Sequence, residues 1–150
     1  MNPRRLLLIL GMILCGAADA RAADEIWTGV LVARNTAKSD SAPEEVRDLL
    51  PRMKRVFGYN HFELLGSASN KIQERTESWL VPCQTFKVGV RARRALSKEA
   101  QGGYLVTLHL VHKEQPIVET EAKLAPGSPL FIRGPQWGKG QLIIMVQVKR

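Results

Sequence analysis

Several stretches of the chain alternate between apolar and polar residues, which is the pattern of β-strands. In the first of them, EIWTGVLVAR (25–34), Ile26 and Val30 fall on one face. Trp27 and Leu31 fall on the other face. Because both faces are apolar and the segment is rich in β-branched residues, we expect a strand that is covered at least partly on both sides.

One segment has the period of a helix instead. In PEEVRDLLPRMKRVF (43–57), a single apolar stripe is formed at helical spacing by Val46, Leu49, Leu50, Met53, Val56 and Phe57. Gly58 is a natural stop. Pro51 removes one backbone hydrogen bond, so we expect a kink there, or a break at which Pro51 opens a second short helix. The stripe predicts that this helix covers a sheet, and a partner-binding or membrane-surface helix is the alternative.

From Tyr59 onward the chain is predicted to form short strands. They are 59–68, 70–81, 84–93, 103–112, 116–124, 129–134 and 141–149. Turn signals separate them at Gly66-Ser67, Pro82-Cys83, Gly102-Gly103, Pro126-Gly127-Ser128 and 134–140. Short connections favour antiparallel hairpins. The sequence therefore predicts a mainly β, α+β domain: an antiparallel sheet or small β-sandwich of about seven or eight strands with one amphipathic helix packed on it.

The N-terminus has the composition of an export signal. Arg4 and Arg5 precede an apolar run (6–18), and small residues follow in ADA and ARA. The apolar run is shorter than the roughly 20 residues that span a bilayer. We therefore expect cleavage after Ala20 or Ala22, with an uncleaved anchor as the alternative.

This interpretation predicts a signal peptide (1–22) and a single exported β-rich domain (23–150) without a transmembrane segment. The leucine-rich core of the signal favours the general secretory route over the twin-arginine route. The chain contains no glycosylation sequon, so a bacterial cell envelope is the expected destination, either periplasmic or extracellular.

Cys83 becomes the one cysteine of the exported domain, because Cys15 leaves with the signal. It follows Pro82 in a predicted turn, a location that predicts exposure. An odd thiol in an oxidising compartment indicates an intermolecular disulfide, to an envelope protein or to a second copy of the chain. The alternative is that the turn folds inward and Cys83 is a small buried hydrophobe.

The chain is basic, with a formal net charge of +8, which favours acidic partners such as anionic lipid head groups or cell-wall polymers. Nucleic acid is not expected as a partner of an exported chain. Arg91 and Arg93 share one face of a predicted strand. Gathered with Arg133 and Lys139, they would form an anion-binding face. A solubilising surface charge is the plainer interpretation of the same residues.

The sequence contains no pattern that indicates catalysis, a metal or a cofactor. His109 and His112 lie three apart in a predicted strand, so they point to opposite faces and cannot readily share a metal. GKG (138–140) lacks the glycine spacing of a phosphate loop and predicts a turn. No hydrolase or metalloprotease motif is present, and Cys83 lies in a predicted turn rather than at a helix N-terminus, so an enzyme is not expected.

One segment is similar to part of a known family. VETEAKLAPGSPLFIRGP (118–135) resembles the hairpin near the lip of bacterial secretins, in which an alternating strand turns at a glycine into an apolar strand. The matching positions are Thr120, Gly127, Leu130, Ile132 and Gly134. Arg133 departs from the usual small residue, and nothing else in the chain resembles a secretin core domain.

Three functions follow in order of preference. The first is a non-enzymatic envelope protein that acts as an adaptor or accessory domain of a larger assembly. The second is a binding module for an anionic lipid head group or cell-wall polymer, through Arg91, Arg93, Arg133 and Lys139. The third is an uncharacterised hydrolase or thiol enzyme, which no motif supports.

Overall fold

The computed structural model describes residues 23–38, 42–96 and 102–150, so the predicted signal peptide (1–22) lies outside the described residues. The eight described strands are β1 (Glu25–Arg34), β2 (His61–Lys71), β3 (Glu77–Leu80), β4 (Phe86–Arg94), β5 (Tyr104–His112), β6 (Gln115–Leu124), β7 (Leu130–Trp137) and β8 (Gly140–Lys149). Between β1 and β2 lie a 3₁₀ helix (Glu44–Leu49) and the helix α1 (Leu50–Phe57). The predicted mainly β fold with one amphipathic helical segment is confirmed.

The strands form two antiparallel sheets. Sheet A has the order β2-β1-β8-β7, and sheet B has the order β3-β4-β5-β6. The chain passes from sheet A to sheet B after β2 and returns after β6, so the strands follow one another round a sandwich in sequence order. The hairpin expected over 118–135, which resembles the secretin lip, is therefore not formed, because β6 pairs with β5 and β7 pairs with β8.

The main core lies between the two sheets and is built by the alternation of each strand. In β4, for example, Phe86, Val88 and Val90 point inward and are buried, while Lys87 and Arg91 point outward and are exposed. The inward residues of β1, β5 and β8 pack against them in one continuous cluster. Burial of this apolar surface is the main stabilising contribution to the fold.

The helical segment covers the outer face of sheet A. Val46 and Met53 are buried there against Trp27, Leu31 and other outward residues of the sheet. Sheet A is thus buried on both faces, which confirms the prediction for the first strand. No helix in the described part of the chain is long and apolar enough to cross a membrane.

Pro51 and Gly58 determine where the helical segment changes its geometry and where it ends. The chain changes from 3₁₀ to α geometry at Leu50, and Pro51 occupies the first turn of α1, where its missing N–H costs nothing. The predicted break with Pro51 opening a second short helix is confirmed. Gly58 ends α1 with φ 75°, the left-handed conformation that favours glycine, and its N–H donates to the carbonyl of Lys54.

Gly66-Ser67 is not a turn, and this prediction is wrong. Both residues lie inside β2. A methyl group at Gly66 would overlap the carbonyl oxygen of Pro82, in the loop between β3 and β4. The glycine therefore allows the two sheets to approach closely at this corner. The predicted strand 70–81 is also divided, because β2 ends at Lys71 and a turn at Glu74 and Arg75 precedes β3.

Candidate functional site

The outer face of sheet B carries a regular array of polar and aromatic side chains, and no described helix covers it. Two neighbouring rows of cross-strand partners run over β3, β4, β5 and β6: Trp79–Gly89–His109–Glu119 and Glu77–Arg91–Thr107–Glu121. A further row on each side is formed by Lys87, Val111 and Pro116 and by Arg93, Leu105 and Lys123. These outward residues form the surface named here the sheet B platform.

Trp79 lies flat on this surface. A methyl group placed at its cross-strand partner Gly89 would lie 3.0, 3.1 and 3.2 Å from three consecutive carbons of the Trp79 ring. Nearly equal distances to three ring atoms mean that the ring covers Gly89 with its face rather than its edge. The residue is nevertheless 51% exposed, so the opposite face of the indole is open to solvent. The structure thus places this large aromatic side chain at the surface.

A groove of about 380 Å³ runs beside the indole. Its lining combines apolar and charged side chains: Trp79, Val111, Pro116, Glu77, Lys87, His109 and Glu114. Lys87 and Glu114 form an ion pair across the rim at 2.9 Å, and both side chains are largely exposed. The result is an aromatic centre with a polar border, which is the composition of binding sites rather than of an ordinary solvated sheet face.

His109 lies between two carboxylates of the platform. Its Nε2 is 3.7 Å from Glu77, and its Nδ1 is 3.8 Å from Glu119. Both distances exceed a normal hydrogen bond, so these are electrostatic contacts that require a protonated imidazole. His112 instead packs against aromatic rings at the end of the sandwich. Within the described residues, no group of three or more histidine, cysteine or acidic side chains is placed to hold a metal ion.

The four predicted anion-binding residues lie in three places. Arg91 and Arg93 point outward from β4 on the sheet B platform. Arg133 lies on the outer face of sheet A, with its guanidinium 5.5 Å from the ring centre of Phe57 in α1. Lys139 lies in the turn between β7 and β8. The structure therefore brings only Arg91 and Arg93 together.

A third arginine that the sequence did not indicate joins this pair. Arg75, Arg91, Arg93, Leu105 and Thr107 line a cavity of about 190 Å³, named here the arginine pocket. Arg75 falls inside a stretch that was predicted to be one strand, and the turn that places it beside β4 has no glycine or proline to signal it. The pocket lies at the end of the platform opposite Lys87.

Cys83 lies in the bend between β3 and β4 and is half-buried. It packs against the main core, and its neighbour Pro82 is buried beside Gly66. Cys83 is thus neither fully exposed nor fully buried. The intermolecular disulfide stays a prediction.

Comparison of the chain with protein-family models, with curated proteins and with solved structures gives no match. The chemistry of the sheet B platform is therefore the ground for a proposal of function.

Proposed function

We propose that this chain is a non-enzymatic, exported accessory domain of a cell-envelope assembly, and that it binds a protein of that assembly on the sheet B platform. The observation that carries the proposal is the contrast between the two outer faces of the sandwich. The outer face of sheet A is covered by the helical segment. The outer face of sheet B is open and presents half of Trp79 to solvent.

The chemistry around Trp79 favours a protein as the partner. Tryptophan is enriched among the residues that contribute most to protein–protein binding, and these residues lie at the centre of an interface inside a polar rim. Contact with Gly89 holds the ring in place, so little side-chain entropy is lost when a partner covers it. The partner is expected to present an apolar side chain to the indole and polar groups to Lys87 and Glu114.

The exposed ion pair on the rim supports specificity more than affinity. A pair such as Lys87–Glu114 contributes only about 0–1 kcal/mol when it is solvent-exposed. Each charge can therefore be turned toward a partner at small cost. A rim with both signs of charge selects a partner of complementary pattern.

Two valines of matched exposure allow a sharp test in intact cells. Val81 directly follows β3, two residues after Trp79, and is 57% exposed, whereas Val56 lies on α1 and is 55% exposed. A photo-crosslinking amino acid is introduced at either position of the full chain. We expect a discrete adduct with one envelope protein, identified by mass, from position 81 and none from position 56.

A second measurement asks whether the adduct from position 81 depends on the indole of Trp79. Trp79→Ala should weaken formation of the adduct from position 81 by about thirtyfold, since a central tryptophan contributes about 2 kcal/mol or more to an interface. Circular dichroism of the purified variant shows whether the fold is retained. Equal adducts from positions 81 and 56, or an adduct that Trp79→Ala leaves unchanged, would contradict docking on the sheet B platform.

A further inference from the structure

We propose that the arginine pocket is a binding site for a phosphoryl group. This inference goes beyond the docking of a protein, because it assigns a ligand class to a second part of the same surface and can be tested on the purified chain alone. Arg75, Arg91, Arg93, Leu105 and Thr107 line the pocket, and the guanidinium groups and the Thr107 hydroxyl are the donors that we assign to the ligand.

A backbone contact gathers the three arginines. The N–H of Arg75 donates to the carbonyl of Ala92 at 3.1 Å. Ala92 is buried and lies between Arg91 and Arg93, which both point outward. The turn before β3 is therefore fixed directly beside the two strand arginines. Thr107 is the cross-strand partner of Arg91 and adds a hydroxyl donor to the same cavity.

Among the described residues, the pocket arginines form no ion pair, unlike Arg34 and Arg94, although Arg47 and Arg55 of the helical segment form none either. Arg34 forms an ion pair with Glu63 at 3.0 Å. Arg94 forms one with Glu74 at 2.7 Å. In the part of the chain that the structure describes, none of the three pocket arginines forms an ion pair or a contact with an aromatic ring. Three exposed cations around one cavity give it a positive potential, which favours an anion as the ligand.

The acidic residues around the pocket are directed elsewhere, and Glu74, next to Arg75 in the chain, is paired with Arg94. Glu77 is the cross-strand partner of Arg91, but its carboxylate lies beside His109. Glu121 is the partner of Thr107 on β6. Neither is among the residues that line the cavity. The cavity is thus lined by three arginines, Leu105 and Thr107, while Glu77 and Glu121 stand at neighbouring positions of the same row.

Arg75 has a left-handed backbone conformation, as do Lys113 and Glu114 in the turn between β5 and β6. The φ of Arg75 is 63°, in the left-handed region that costs a residue with a side chain free energy and that glycine adopts readily. Strained residues of this kind are concentrated at functional sites, where the surrounding structure holds them. An arginine at this position is unfavourable for the turn but supplies the third cation of the pocket.

A phosphoryl group fits this set of donors better than a single carboxylate does. One guanidinium satisfies a carboxylate through two parallel hydrogen bonds. A phosphate monoester carries close to two negative charges and three strong acceptor oxygens, which match several guanidinium groups. The phosphoryl group can belong to a lipid head group or to a soluble phosphate, and the two sources are separated by experiment.

The direct test is a titration of the purified domain with inorganic phosphate, at constant ionic strength maintained with chloride. Nuclear magnetic resonance of the arginine side-chain N–H groups reports each guanidinium separately. We expect saturable shifts at Arg75, Arg91 and Arg93, and no shift at Arg133 on the opposite side of the sandwich. Shifts that do not saturate, or that are as large at Arg133, would overturn the proposal.

Three variants connect the shifts to the pocket. Arg91→Gln should weaken phosphate binding about tenfold, whereas Arg133→Gln removes the same charge elsewhere and should leave binding unchanged within about twofold. Arg75→Gly should weaken binding similarly while raising Tm, because it relieves the left-handed strain. A loss of binding in a more stable protein cannot result from unfolding. Unchanged binding in Arg75→Gly and Arg91→Gln would contradict the site.

Vesicles distinguish the two sources. If the domain sediments with vesicles that contain phosphatidic acid, and phosphate or Arg91→Gln reduces this binding, the ligand is a lipid head group. If it binds phosphate but not these vesicles, the ligand is soluble. If it binds the vesicles without any effect of phosphate or Arg91→Gln, the arginine pocket is not the site. Because these measurements need no protein partner, their failure would leave the docking proposal standing, and the reverse also holds.

Discussion

Raising the pH should break a partly buried contact that joins the two sheets. The hydroxyl of Tyr104, on β5 of sheet B, donates to a carboxylate oxygen of Asp24 at 2.6 Å, directly before β1 of sheet A. Tyr104 is only 2% exposed. Burial, followed by the hydrogen bond to Asp24 and its negative charge, raises the pKa of the Tyr104 phenol from 10.0 to about 12.

The sign and size of the effect follow from linkage. The folded protein holds the phenolic proton more tightly than the unfolded chain does, so this contribution to stability is complete below pH 10.0 and is lost as the pH rises toward about 12. A difference of about two pKa units corresponds to about 2–3 kcal/mol in the free energy of unfolding. The loss should therefore reach about 1.4 kcal/mol per pH unit inside this window.

Denaturation by urea at increasing alkaline pH measures this loss. Other groups titrate in the same range, so the informative quantity is the difference between the natural chain and Tyr104→Phe, which cannot titrate. We expect Tyr104→Phe to be less stable by about 1 kcal/mol at neutral pH, through the lost hydrogen bond, and more stable than the natural chain as the pH approaches 12.

The chain has two tyrosines, and the other one provides the control. Tyr59→Phe should keep the full alkaline loss, and the tyrosinate absorbance of that variant then reports Tyr104 alone, with a midpoint near 12. A midpoint near 10, or a difference between the natural chain and Tyr104→Phe that stays constant with pH, would refute the interpretation that burial and Asp24 hold the proton.

Three further predictions concern Gly66, Thr28 and Cys83. Gly66→Ala should lower the free energy of unfolding, measured in urea, by about 1–3 kcal/mol, because the added methyl group meets the Pro82 carbonyl. The control Ser67→Ala should change this free energy by less than about 0.5 kcal/mol. Equal effects of the two variants would contradict the close approach of the Pro82 loop to Gly66. Thr28→Val should stabilise the fold by about 1–2 kcal/mol in the same assay, because the buried Thr28 hydroxyl has no hydrogen-bond partner among the described residues. A loss of stability in this variant would indicate that a bound water satisfies the hydroxyl. The half-buried Cys83 thiol should be alkylated more slowly in the native protein than in urea, and equal rates would show that the bend is open.

The parts of the fold that depend on single residues and their immediate neighbours could be predicted from the sequence. The helix break at Pro51 and the stop at Gly58 follow from the backbone geometry of those residues. Gly66 could not be interpreted in this way, because its role is a contact with a loop that follows the next strand. The sequence of β6 and β7 alone also does not show that these two strands remain unpaired with each other. In the structure, β6 pairs with β5 in sheet B and β7 pairs with β8 in sheet A.

Part of the candidate site can likewise be predicted from local sequence and part cannot. Arg91 and Arg93 are predictable as neighbours from the two-residue period of a strand. Arg75 is not, because its place depends on a left-handed turn and on a hydrogen bond to β4. Exposure of Trp79 depends on which sheet the helical segment covers, and no local pattern in the sequence determines that choice.

Hydroxyl-radical footprinting of Trp79 in the intact envelope and in the purified domain tests directly whether a partner covers the sheet B platform. We expect strong labelling of Trp79 in the purified domain and protection in the envelope. Val56, which is 55% exposed against 51% for Trp79, should be labelled equally in both. Equal labelling of Trp79 in the two samples would contradict a partner on the sheet B platform.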